Sequence, residues 1–176
     1  LVEGFKRLEY RGYDSSGIAL FNGDSLEIKK SSGRIDCLAA LLTEPKNAQT
    51  LGIGHTRWAT HGQPNTQNAH PHLDHSGKIA VVHNGIIENY STLKTWLTSE
   101  GITFQSETDT EVAANLIGYF YAQACNDLEE VSSNGQNTFE WAVQQAVQKL
   151  HGTFGFAIMC ADYPDMLIGA KKGSPL

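Results

Sequence analysis

Lys78–His83 carries Ile79, Ala80, Val81 and Val82 in succession, with no polar face left for water. A strand of that kind needs cover on both sides, so other layers must stack on it. Ser16–Phe21 and Leu26–Lys30 read as strands about Asn22-Gly23-Asp24, a hairpin signalled by Asn-Gly. Leu51–His55 is a short buried strand, and Phe154–Cys160 and Met166–Ala170 are two more. Leu1–Leu8, Arg34–Leu42, Tyr90–Glu100, Glu111–Ala124 and Phe139–Leu150 have helical spacing. Thr56–Gly77 reads as a polar loop and Asn126–Asn137 as a polar surface excursion. Strands gather at both ends with helices between them, which excludes regular βαβ alternation and predicts a layered α+β fold.

The 176 residues, without repeat or linker, predict one domain, and 40% hydrophobic content supports a core. A net charge of −6 argues against nucleic acid as a partner, because no basic stripe is available to track phosphates. No apolar run approaches the ~18 residues of a membrane span, so no membrane partner is expected. Cys37, Cys125 and Cys160 are too scattered for a disulfide framework and fit a reducing cytoplasm. Cys37 and Cys160 read as small core residues, and Cys125 as a helix-end residue.

Four segments could carry chemistry. In Gly54–Gly62 (GHTRWATHG) a strand delivers Arg57, whose planar fork matches a carboxylate, with the Thr60 hydroxyl as a further donor. The same pattern fits an Arg paired with a core-edge acid, with Trp58 as packing. In His83-Asn84-Gly85 the Asn84 amide and the Gly85 N–H could converge on a developing oxyanion. Asn-Gly is equally a turn signal, and on pattern the turn leads narrowly. Thr108 and Glu111 form a capping-box pattern that accounts for Asp109 as a helix-start acid; its functional reading is a counter-ion for a substrate ammonium. His61, His70, His72 and His75 crowd into Thr60–His75, a spacing open to a metal reading and equally to a polar loop shaped by Pro64 and Pro71. Phosphate-cradling motifs and the G-x-S-x-G elbow are absent.

The strings RLEYRGYDS (Arg7–Ser15), GHTRWATHG (Gly54–Gly62), NAHPH (Asn68–His72), HNGIIEN (His83–Asn89), SETDTEV (Ser106–Val112) and GSPL (Gly173–Leu176) occur in this order. Together they resemble the glutaminase domain of the glutamine–fructose-6-phosphate aminotransferase (isomerizing) family of class II glutamine amidotransferases, over essentially the whole chain. The resemblance implies an N-terminal-nucleophile hydrolase fold, an αββα sandwich of two antiparallel sheets between helical layers.

It also implies roles. Arg57, with Thr60 and His61, would hold the glutamine α-carboxylate, and Asp109 the α-ammonium. Asn84 and Gly85 would form the oxyanion hole. Trp58 would belong to a loop gating ammonia, and Arg11 would order the catalytic end of the sheet. No metal or cofactor is implied. The family's nucleophile is an N-terminal cysteine followed by Gly-Ile, whose α-amino group can serve as base.

This chain opens instead with Leu1, matching the family's first helix. The expectation is therefore a glutaminase domain over residues 1–176 cut at both ends, lacking its first strand and inactive as it stands. Intact, it would release ammonia from glutamine and pass it to fructose 6-phosphate on a separate isomerase domain, making glucosamine 6-phosphate as a homo-oligomer in the cytoplasm. The alternatives are the glutaminase of another class II enzyme (amidophosphoribosyltransferase, asparagine synthetase or glutamate synthase type), a non-catalytic amino-acid binder, and a His-loop metal protein.

Overall fold

The computed structural model describes residues 1–8, 10, 12–42, 51–58, 63–126 and 136–174. Arg11, Thr60 and His61, most of the polar stretch after Asn126, and the last two residues of GSPL lie outside them.

Among the described residues the strands form two antiparallel sheets. The first has the order β2 (Leu26–Ser32), β1 (Ser15–Phe21), β3 (Gly52–Arg57). The second has the order β4 (His72–Leu73), β5 (Ile79–Ile87), β6 (Gly152–Cys160), β7 (Leu167–Lys172). Helices α1 (Val2–Leu8) and α2 (Ile35–Ala40) cover the first sheet. Helices α3 (Tyr90–Ser99), α4 (Asp109–Asn126) and α5 (Thr138–Lys149) cover the second. The expected αββα layering is what the chain adopts, and no described helix is long and apolar enough to cross a membrane.

Side-chain alternation along the strands divides the interior into three cores. Ile79, Val81 and Ile87 of β5, with Phe154, Phe156, Ile158 and Cys160 of β6, face α3–α5. Ala80 and Val82 take the opposite face and meet Met159, Ala19, Leu26 and Ile53 between the sheets. Ile18 looks outward to Phe5, Ile35 and Leu38 under α1 and α2. Because β5 is covered on both faces, its apolar run is buried throughout. Helix α4 is likewise enclosed by helices and sheet, with Leu116, Ile117 and Val112 fully buried.

Several sequence expectations need correction. Asn84-Gly85 is not a turn: β5 runs nine residues without a break, and Asn84 and Gly85 pair with Gly155 and Phe154 of β6. Gly85 adopts φ +132. A Cβ at Gly85 would collide with the Thr153 carbonyl, so a residue without one is required. Asn22–Ser25 does close the β1–β2 hairpin, through the Asn22 N–H to Ser25 carbonyl bond. The two-residue β4 lies within the expected polar loop, too short to show a period.

Helix α4 starts at Asp109, two residues earlier than its periodicity suggests. Thr108 accepts from the Glu111 N–H at 3.3 Å, but Glu111 turns its carboxylate back to the Gln105 and Ser106 N–H groups, so half of the capping box forms. A complete capping box joins Asn137 and Glu140 at the start of α5. Cys160 is a core residue, whereas Cys37 lies exposed on α2.

Phe139 is fully buried in the outer core with its ring 5.7 Å from that of Tyr163. Phe139→Ala is expected to lower unfolding free energy by about 3–5 kcal/mol in urea denaturation, with the circular-dichroism spectrum of the folded state unchanged.

Candidate functional site

Strand alternation decides which polar side chains meet. On β3, Ile53 enters the inter-sheet core, so His55 and Arg57 follow it onto the same face. On β5, Ala80 and Val82 enter that core, so Asn84 follows them. The apolar filling stops there, and a cavity of about 510 Å³ opens at this end of the sandwich. Arg57, Trp58, Asn84, Gly85 and Asp109 all line it, together with His55, His70, His83 and Thr108. The five described residues given site roles by the resemblance, Arg57, Trp58, Asn84, Gly85 and Asp109, therefore reach one cavity, whereas His72 and His75 do not line it. Gly12, from the RLEYRGYDS string, lies against the Trp58 ring at its mouth.

Arg57 is 4% exposed and stands 3.6 Å from the Asp14 carboxylate. Its Nη1 also donates to the Gln63 carbonyl at 3.5 Å. Both readings of the pattern thus have a structural counterpart, since an acid pairs with Arg57 while the residue lines the cavity. Asp14 is fixed in turn by the bond from its N–H to the Arg57 carbonyl at 2.9 Å and by the Ser15 hydroxyl at 2.7 Å. Trp58 is 68% exposed, so packing alone does not account for it.

Asp109 is buried at the start of α4, and its Oδ2 accepts the Ile87 N–H at 2.9 Å. The carboxylate does more than cap a helix: it ties α4 to the last residue of β5. His83 Nδ1 lies 3.9 Å from the same oxygen, too far for a hydrogen bond, and bonds instead to the Thr110 hydroxyl at 3.0 Å. That hydroxyl also meets His70 Nε2 at 3.1 Å. With a single hydrogen to give, it donates to one imidazole and accepts from the other.

The histidines are neutral structural groups in this setting. Burial holds His70 and His72 well below the ordinary imidazole value, with neighbouring positive charge adding to it. Burial also lowers His83, against the opposing pull of Asp109. His55 is lowered by its enclosure, partly offset by its bond to Asn84. His72 Nε2 and the Thr108 hydroxyl share a hydrogen bond at 3.0 Å, and the His75 backbone N–H donates to Asn115 Oδ1. Among the described residues no group of three or more His, Cys, Asp and Glu side chains is arranged to hold a metal ion.

Sequence reasoning had not singled out Asp14 or His55. Asp14 lies in the RLEYRGYDS string and His55 in GHTRWATHG. The signal for His55 was its parity with Arg57, two residues on along the same strand.

Residues 55–171 match the glutamine amidotransferase domain family, and the chain belongs to it. Its relatives include the glutamine–fructose-6-phosphate aminotransferases (isomerizing) of Caldanaerobacter subterraneus subsp. tengcongensis and Thermococcus kodakarensis. Each is 49% identical over 176 residues, covering 100% of this chain and 27% of the relative. That of Bordetella pertussis is 48% identical with the same coverage. The chain thus spans about a quarter of the length of the curated relatives it matches. Among solved structures it resembles the Bacillus subtilis glutamine phosphoribosylpyrophosphate amidotransferase, with a TM-score of 0.72 and 27% identity over 97% of this chain and 34% of that one. A structure described as the allosteric regulatory enzyme of purine biosynthesis gives a TM-score of 0.70 at 30% identity, covering 91% of this chain and 32% of that one.

The depressed histidines make stability depend on pH with a definite sign. Between their lowered folded values and the ordinary 6.5, the unfolded chain binds more protons than the folded one. Stability is therefore full above pH 6.5 and falls on acidification, by up to about 1.4 kcal/mol per pH unit for each histidine. Urea unfolding between pH 7.5 and 5 checks this, and His70→Gln should flatten the slope.

Proposed function

We propose that this chain is the glutamine-hydrolysing portion of an ammonia-transferring enzyme, with residues 1–176 forming that one domain. The observation that carries the reading is the convergence of Arg57, Asn84, Gly85 and Asp109 on one cavity. Free glutamine is a zwitterion with a side-chain amide. Its recognition needs a cation, an anion and a pair of neutral donors, and the cavity wall offers each.

Arg57 binds the α-carboxylate and Asp109 the α-ammonium, which leaves the amide carbonyl directed at the Asn84 side chain and the Gly85 N–H. Thr60 and His61 assist Arg57, Trp58 belongs to the loop that gates ammonia, and Arg11 orders the catalytic end of the sheet, as the family resemblance implies. The attacking group is the N-terminal cysteine of the family pattern. Cys37, Cys125 and Cys160 do not line the cavity, and burial pushes the Cys160 thiol up to about 11, where it is a poor nucleophile.

In the reaction the thiolate adds to the amide carbon, and the oxygen takes the negative charge facing the two donors. The C–N bond then breaks as nitrogen takes a proton, ammonia leaves, and water hydrolyses the glutamyl-thioester to glutamate and free thiol. The relatives' name, glutamine–fructose-6-phosphate aminotransferase (isomerizing), supports passage of the ammonia to fructose 6-phosphate. A further isomerase domain, glucosamine 6-phosphate as the product and a homo-oligomeric enzyme are what the family resemblance implies. A thiolate nucleophile beside three free cysteines suits a reducing cytoplasm.

Asp109→Asn separates charge from structure, because an amide oxygen can still accept the Ile87 N–H. Arg57→Ala and Asp109→Asn should each weaken glutamate binding on the order of 10²-fold in calorimetry, as expected when one partner of a desolvated charge pair is lost. Asp109→Asn should keep the parent melting temperature. Unchanged affinity in both variants would overturn the assignment.

A further inference from the structure

His55 and Asn84 belong to different sheets, yet their side chains meet across the sandwich: His55 Nε2 lies 2.8 Å from Asn84 Oδ1. We infer that His55 is the positioning residue of the oxyanion site, holding the Asn84 amide so that its Nδ2 hydrogens, and not its oxygen, face the cavity. The role rests on the glutaminase reading above and extends it to a residue outside direct substrate contact.

A primary amide presents similar shapes in its two orientations, but they are opposite in charge. With Oδ1 toward the cavity, a tetrahedral oxyanion would meet a lone pair and be repelled; with Nδ2 toward it, the same oxygen receives a hydrogen bond. Gly85 cannot make this choice for its neighbour. The choice is made by whatever holds the other end of the amide, and that group is His55.

An imidazole could either donate to Oδ1 or accept from Nδ2, so its tautomer matters. His55 Nδ1 is enclosed and, among the described residues, has no hydrogen-bond partner. If Nδ1 carried the proton, a donor would be enclosed without an acceptor, and orphaned N–H groups are costlier and rarer than unused lone pairs. The proton therefore sits on Nε2, and an Nε2–H can only donate. Asn84 must answer with Oδ1, which turns Nδ2 to the cavity.

The imidazole has little freedom to turn. Its ring centroid is 4.7 Å from that of His70, whose Nε2 is bonded to Thr110. The His70 carbonyl lies against β1 where Gly17 leaves room for no side chain. The nearby Arg57 charge further disfavours an imidazolium. The chain of control thus runs from packing to ring orientation, from enclosure to tautomer, and from tautomer to the amide.

The test uses the intact enzyme with its nucleophile, measuring glutamate release from glutamine. His55→Phe keeps an aromatic ring and removes the donor. It should lower kcat by about tenfold or more, toward the 10²–10³-fold typical of a lost oxyanion donor, and change KM by less than about twofold. His55→Gln, with an N–H at comparable reach, should recover most of that loss. In an Asn84→Ala background, His55→Phe should cost less than about a further twofold, since residues acting through one another are non-additive.

A residue that merely supports the fold would cost the same in both backgrounds and would not be rescued by Gln; that result overturns the role. If His55→Phe does not fold, His55→Ala, which also removes the donor, is compared in the parent and Asn84→Ala backgrounds in the same way. A parent enzyme that turns over and a His55→Phe variant that matches it overturn the role alone. A parent that releases no glutamate overturns the glutaminase reading, and the role with it.

Discussion

The hydrogen bond from the Ile87 N–H to the Asp109 carboxylate joins the last residue of β5 to the first of α4. Without it, Asp109 would be one more acid in a helix's opening turn. With it, a buried carboxylate is fixed beside the end of β5 that carries His83, Asn84 and Gly85. Asp109 thereby stands at the N-terminal, positive end of the α4 dipole and on the cavity wall. A buried carboxylate held this way retains an electrostatic demand that an incoming ammonium could meet.

The inter-sheet core sets the other half of the geometry. Ala19, Ala80 and Val82 are small, so the sheets approach closely, and Ile53 and Met159 fill what remains. Where the strands pass beyond these residues, the same face carries His55, Arg57 and Asn84. The cavity is thus the continuation of the core in polar residues. Its histidines remain neutral because they are buried among other histidines and near Arg57, so they act as fixed donors and acceptors rather than as charges.

Much of this was legible in the sequence. The apolar run of β5 required cover on both faces, the hairpin was marked by Asn22-Gly23, and the longer helices had their period. What could not be read was whatever depends on a partner strand. Asn84-Gly85 carries a strong turn signal, and only the nine-residue ladder with β6 overrides it. Cys37 falls on the exposed side of α2, a helix of six residues too short for its period to fix a face. The H-x-H-x-x-H spacing suggested a shared ligand, but His70 and His72 each bond a different threonine of the chain entering α4. The five described site candidates were all found by residue type and motif. Their convergence needed the register of β1 with β3 and of β5 with β6, which no spacing along one strand encodes.

The site's central claim is an orientation: one amino acid lies in the cavity with its charged end between Arg57 and Asp109 and its side-chain carbonyl toward Asn84 and Gly85. A crystal structure of the protein with glutamate bound tests this most directly. The account predicts the α-carboxylate on the Arg57 guanidinium, the α-ammonium on Asp109, and the γ-carboxylate near Asn84 Nδ2 and the Gly85 N–H. Glutamate bound in the reverse sense, or outside this cavity, would contradict it.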